Sequence, residues 1–375
     1  MLRAHAALHE WMFDHALPFW ATAGTDAAGR GFHERVTLEG AAPGPVVKRI
    51  RVQARQVYVY SHAALLGWPG GLEAARHGWA FLRRAAGEDG HWPRALSSDG
   101  AVADSAADLY DLAFVLFAMA WHARAGGDPE IPAMARRTLR WVRGTMAAPG
   151  GGLHNAWPVA PGHRQQNPHM HLLEATLALH ETTGEAEYAA FARELVALFR
   201  TRFFHAGTGT LGEFFDDALA PAAGEAGGHV EPGHHYEWVW LLDRYARQVG
   251  PWHEEEAVAL YEFAQRHGHG RECGLVRDVV ARDGTVRRGS SRLWAQCEVI
   301  RAHAAMLRHG HDTAARIGQG TDALLGRYLA RTPRGIWTDQ PDEAGDPASG
   351  HVPASSLYHL FAAYAELHDL ARDLA

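Results

Sequence analysis

The chain has 375 residues, 47% of them hydrophobic and 21% charged, a composition that excludes the disordered class and implies a folded protein with a large core. A formal charge of -7, with Lys and Arg scattered and no basic run, excludes a nucleic-acid surface. Two cysteines, Cys273 and Cys297, exclude a disulfide framework, and no stretch has the apolar length of a signal h-region or a membrane span, so the expected address is the cytoplasm, away from the membrane.

In chain order, the first candidate element is a helix from Leu2 to about Leu17 with no partner beside it. RIRVQARQVYVYSHAALLGW follows, paired across a short turn with GGLEAARHGWAFLRRAA, and then DLYDLAFVLFAMAWHARAGG with DPEIPAMARRTLRWVRGTM. The same design returns in HMHLLEATLALHETTG with EAEYAAFARELVALFRTRF, and in HHYEWVWLLDRYARQVG with PWHEEEAVALYEFAQRHG. RLWAQCEVIRAHAAMLRHG with HDTAARIGQGTDALLGRYL is the fifth pair, and SSLYHLFAAYAELHDLARD ends the chain unpaired.

One polar or aromatic residue near the start of each first member sets the repeat: Arg55, Tyr110, His171, His234, Trp294 and His359, spaced by 55, 61, 63, 60 and 65 residues. Such a period means stacked helical hairpins, and a helix missing at one end but supplied from the other predicts a closed ring. The expected fold is all-α, an (α/α)6 barrel of six helical hairpins forming a single catalytic domain over residues 1–375. First members, apolar almost all round, would form the inner ring, and second members, charged on one face, the outer. The six marked residues would then gather at one mouth, bordered by the glycine-rich stretches that precede the inner helices.

At that mouth EPGHHYEW begins a helix at Glu231-Pro232-Gly233, which places His234 and Glu237, three apart, on one face. A solitary histidine there would most simply satisfy backbone donors, but in a convergent ring the carboxylate can orient the imidazole for general acid–base work. His235 is expected to point elsewhere. His359 in SSLYHLF is the second candidate, against a core role beside Tyr358. Asn167 and His171 in NPHMHLLE lie one turn apart, suited to hydroxyl or carbonyl ligands. Arg55, in an apolar stretch, is hardest to explain as structure, because a buried guanidinium is costly without partners. Tyr110, Trp238 and Trp294 fill space or wall a sugar site. Despite 26 histidines there is no H-E-x-x-H, Cys/His cluster or EF-hand pattern. His171, His234 and His359 are the set that could hold a metal by ligand type, and no metal is expected. Phosphate-loop, dinucleotide and G-x-S-x-G signatures are absent, so no cofactor is expected either.

The ordered set GFHERV, KRIRVQARQVYVYS, DLYDLAFVL, NPHMHLLEATLAL, EPGHHYEWVWLL, RLWAQCEVIRA and PASSLYHLFAAYAEL resembles the N-acylglucosamine 2-epimerase superfamily, in its mannose-isomerase-like branch. The resemblance implies an (α/α)6 barrel and metal-independent proton transfer on sugars. It implies His234 and His359 as the acid–base pair, Glu237 supporting His234, and Arg55, Tyr110, Asn167, His171, Trp294 and Gln296 around the sugar. One departure is that many relatives have an arginine shortly before the PGH motif where this chain has Gly224 to Val230, which weighs against a strongly anionic substrate. The expected activity is isomerisation of an unphosphorylated monosaccharide, D-mannose to D-fructose, through a cis-enediolate. The alternatives are a sugar 2-epimerase, an (α/α)6 glycoside hydrolase recruiting Asp111, Glu237 or Glu298, and a non-catalytic sugar-binding protein. A homodimer is left open.

Overall fold

The computed structural model describes residues 2–373 apart from Gly29, Pro43, Pro45, Glu272 and residues 343–345. Helix α1 (Leu2–Glu10) runs through a π-helical turn, Trp11–Ala16, into α2 (Leu17–Thr22). Five hairpins follow: α3 (Ile50–Leu65) with α4 (Gly71–Leu82), α5 (Leu109–Arg124) with α6 (Ile131–Thr145), α7 (Asn167–Thr183) with α8 (Ala186–Leu198), α9 (Pro232–Gln248) with α10 (Glu254–His267), and α11 (Leu293–Arg308) with α12 (Ala314–Arg327). Helix α13 (Leu357–Asp373) ends the described chain.

Helices α3, α5, α7, α9, α11 and α13 pack each against the next, and α13 packs against α3, so the inner ring closes. Helix α1 lies against α12 and α13 and supplies the outer helix that α13 lacks in sequence. The result is the (α/α)6 barrel that the repeat spacing implies. Burial follows the same division. Nearly every residue of α5 from Leu109 to Ala120 is buried, whereas α6 buries a stripe of Ile131, Met134, Ala135, Thr138, Leu139 and Val142 at the 3–4 spacing of a one-sided helix.

Helical periodicity is silent about the short antiparallel strands that tie the loops at one end of the barrel, because each is only two or three residues long. Lys48–Arg49 pairs with Ala95–Leu96 just before α3, Ala107–Asp108 with Ala156–Trp157 before α5, Arg164–Gln165 with Phe214–Phe215 before α7, and His229–Val230 with Val279–Ala281 before α9. Arg35–Thr37 pairs with His351–Pro353 and ties the chain's first loop to its last. These pairs hold the starts of the inner helices around one mouth.

Candidate active site

Local signals fix where each inner helix begins. The Asp108 carboxylate accepts from the amides of Tyr110 at 3.0 Å and Asp111 at 3.3 Å and so starts α5. Pro168 and Pro232 occupy first-turn positions of α7 and α9, where a missing N–H costs nothing. A Cβ on Gly233 would come within 2.4 Å of the Trp294 ring, so only glycine lets that indole lie against α9.

His234 is buried, with Nδ1 3.0 Å from both oxygens of Glu213. Gln166 donates to Glu213 at 2.9 Å while its own carbonyl accepts from the Trp238 indole at 2.8 Å, which pins the carboxylate in place. Burial opposes a positive imidazole here, but the charges of Glu213 and Glu231, and more weakly Glu237, outweigh it and raise the His234 pKa to about 9. At neutral pH the ring is a cation.

His359 stands on the other side of Trp294, whose indole lies 5.0 Å from the His234 ring and 5.7 Å from the His359 ring. Its Nδ1 is 2.7 Å from Glu298 Oε1. Glu298 in turn accepts from Arg301 at 2.6 Å, and Arg301 reaches on to Glu174 at 3.2 Å. Glu174 also receives the Tyr358 hydroxyl at 2.5 Å and lies 3.3 Å from His171 Nδ1. Burial, together with the guanidiniums of Arg55 and Arg301, holds the His359 pKa well below the ordinary value. Burial likewise lifts Glu298 to about 7 against the pull of Arg301. Above that pH the stable arrangement is an ionised Glu298 accepting from Nδ1–H of a neutral His359, which leaves Nε2 with a free lone pair.

His171 is neutral for the same reason, lowered to about 4 by burial despite Glu174. Its ring meets Tyr110 and Phe114 at 5.0 and 4.6 Å. Arg55 donates to the Tyr110 hydroxyl at 2.6 Å and to the Ser355 carbonyl at 3.3 Å, with Phe114 4.0 Å beneath its guanidinium. Buried and aromatic-boxed, it is a fixed positive charge beside the histidines. Asn167 keeps a buried Oδ1 without a partner at the start of α7.

Two expected contacts are corrected by the geometry. Glu237 shares the helix face of His234 but does not bond it. Glu213, from the loop between α8 and α9, takes that place, and Glu237 lies deeper, 3.7 Å from His171 with both oxygens unpartnered. Burial and the nearby Glu298 and Glu174 push the Glu237 carboxyl well above the ordinary range. Gln296 does not face the ring. Its amide clamps the Val276 backbone at 3.0 Å on both sides, because a residue two positions from Trp294 is rotated by about 200° around the helix. His235 does point away, accepting from the Leu211 amide at 3.0 Å.

The donors that could hold a metal also differ from the three-histidine set weighed from sequence. Among the described residues, His171 with Glu174 and Glu237, and Glu237 with Glu298 and His359, bring their donor atoms within 4.8 Å of one another. Arg301 already supplies a cation between Glu174 and Glu298. Glu174, Glu213 and Arg301 escaped sequence reading. Glu174 and Arg301 were detectable as charges inside inner helices that are otherwise apolar, as Arg55 was, whereas Glu213 sits in a loop with no spacing relation to His234.

A closed ring of buried helices with histidines in opposite charge states at one mouth is equipment for proton transfer, and comparison with known proteins gives the class. The family model described as N-acylglucosamine 2-epimerase (GlcNAc 2-epimerase) matches residues 31–363. A protein of Rhizobium meliloti (strain 1021) named mannose-6-phosphate isomerase is 35% identical, with 96% of this chain and 95% of the relative covered. A cellobiose 2-epimerase of Ruminococcus albus is 22% identical over 81% of this chain and 82% of its own. A crystal structure of D-mannose isomerase superposes with a TM-score of 0.86 at 21% identity, covering 98% of both chains, and shows the shared fold. The protein is a sugar isomerase or epimerase. It belongs to the N-acylglucosamine 2-epimerase family. Among the described residues no helix is long and apolar enough to cross a membrane.

Proposed function

We propose that the whole chain acts as one catalytic unit, a metal-independent aldose–ketose isomerase whose substrate is unphosphorylated D-mannose and whose product is D-fructose. The observation that carries this reading is the pair of histidines in opposite protonation states on either side of Trp294. Neutral His359 takes the C2 proton of the open-chain sugar through Nε2. The electron pair left behind forms the C1–C2 double bond of an enediolate as the aldehyde oxygen becomes negative. Protonated His234 gives its proton to that oxygen, and return of a proton to C1 with loss of the O2 proton completes the ketose. Arg55 offsets the negative charge of the enediolate, Tyr110, Asn167 and His171 orient hydroxyls, and Trp294 walls the sugar.

A neutral sugar is supported by the state of the arginines bordering the ring. Arg51 is held by Asp111 at 2.7 Å, Arg94 by Asp104 at 3.1 Å, and Arg292 by Glu231 and Asp278 at 3.1 Å each. At these three arginines a phosphate would have to displace a carboxylate, and Arg55, which pairs with no carboxylate among the described residues, is bonded to the Tyr110 hydroxyl and the Ser355 carbonyl instead. The second reading, a 2-epimerase, is favoured by the placement of two histidines on two sides of the site, since epimerisation needs a proton donor on the opposite face. Incubation with D-mannose, mannose 6-phosphate, D-glucose and cellobiose in D2O, with and without EDTA, separates these readings by NMR. Fructose carrying deuterium at C1, formed from mannose and unaffected by EDTA, is the expected result. A C2 epimer with no ketose would sink the isomerase reading.

A further inference from the structure

The barrel holds a chamber away from the catalytic histidines. Its volume is about 340 Å³, within the roughly 300–1,000 Å³ typical of small-molecule sites, and it is lined by the C-terminal halves of the inner helices, at the end opposite the histidines. The Glu174 and Arg301 side chains form its floor. They are the groups that hold His171 and, through Glu298, His359 on the other side, so one ion pair stands between this chamber and the histidine cluster.

The walls are apolar and aromatic, contributed by Phe117, Leu177, Leu241 and Trp240. The polar groups have an uneven distribution. Glu181 pairs with two arginines, Arg244 at 2.7 Å and Arg124 at 3.3 Å, Arg244 also faces Glu366 and Asp369, and exposed Arg372 adds a third guanidinium to the lining. Asp369 is the other carboxylate near this opening, since Glu366 is bonded to Arg308 and to the Trp240 indole at 2.6 Å. Two donors of the lining are buried and unpartnered: the Trp121 indole N–H and Arg301 Nε. Buried donors without acceptors are uncommon in folded proteins, and here they border an open volume.

We infer that this chamber is a second ligand site, for a small organic anion with a compact apolar or aromatic body. The body fills the aromatic-walled space, and a carboxylate, sulfonate or phosphate lies against Arg124, Arg244 and Arg372. Because the floor is the pair that orients the catalytic side, a molecule bound here acts on the sugar site from behind without competing for it.

Titration with 8-anilinonaphthalene-1-sulfonate, a naphthyl body with one sulfonate, tests the site by fluorescence. The expected result is saturable binding that D-mannose does not displace, with the uncharged analogue N-phenyl-1-naphthylamine at least about tenfold weaker. Ala178→Trp, which fills the chamber, should weaken binding by about tenfold or more, and Leu65→Glu should weaken the anion while sparing the neutral analogue. Leu65 is exposed, so that variant keeps the fold whatever becomes of the filled one. Unchanged anion binding in Leu65→Glu, displacement by mannose, or equal binding of the two probes would overturn the inference.

Discussion

The two histidine corners of the mouth look alike and behave oppositely. In each, Nδ1 contacts a buried glutamate, Glu213 at 3.0 Å from His234 and Glu298 at 2.7 Å from His359. Yet one ring is held as a cation and the other as a free base. The difference lies in the other charges around each ring. His234 is faced by Glu213, Glu231 and Glu237, whereas His359 is faced by the guanidiniums of Arg55 and Arg301, the second of which already pairs with Glu298. A histidine's protonation state is therefore set by the balance of burial against all the charges around its ring, which is how one ring of helices supplies both an acid and a base.

The strongest way to break this contrast is Arg301→Met. It strands Glu174 and Glu298 without their shared cation, and loss of one partner of a buried pair costs about 3–5 kcal/mol, read from denaturant unfolding. The same variant should raise the Glu298 pKa further, because Arg301 is the charge that opposes burial there, and so move the acid limb of the pH profile upward. Next in size, His359→Asn and His234→Asn should each lower kcat by about 10²–10⁴-fold with folding intact, measured on mannose. Smaller again is Glu213→Gln, which removes the charge that sustains the His234 cation. In the parent, kcat/KM should rise with pH as Glu298 loses its proton near 7 and fall as His234 loses its proton near 9. In Glu213→Gln the alkaline limb should move down by about one unit or more while the acid limb stays. The smallest structural effect is expected from Glu237→Gln, because burial already favours the uncharged carboxyl that the amide mimics. Its unfolding free energy should stay within about 1 kcal/mol of the parent, and a larger loss would mean that Glu237 is ionised.

What could be read from sequence divides along the same physical line. The ring was legible because its hairpins recur every 55 to 65 residues and because the leading helix had no partner except the trailing one. Arg55, Tyr110, His171, His234, Trp294 and His359 do gather around one mouth, since each lies in the first turns of an inner helix. Partners were not legible. Helical spacing says which residues share a face and nothing about which loop comes to meet them, so Glu237 was assigned a bond that Glu213 makes. Gln296 was carried along with Trp294, although two positions on a helix face opposite ways. Glu174, Glu298 and Arg301 could have been grouped by asking how each buried charge in an apolar helix is neutralised, since the answer has to be one another.

The opposite charge states of the two histidines are measurable directly, by ¹⁵N NMR of imidazole-labelled enzyme titrated from below the acid limb to above the alkaline one. The account predicts a His234 ring carrying both protons up to about pH 9 and a His359 ring that is neutral with its proton on Nδ1 above about pH 7. Two neutral rings between those limits, or a protonated His359, would contradict it.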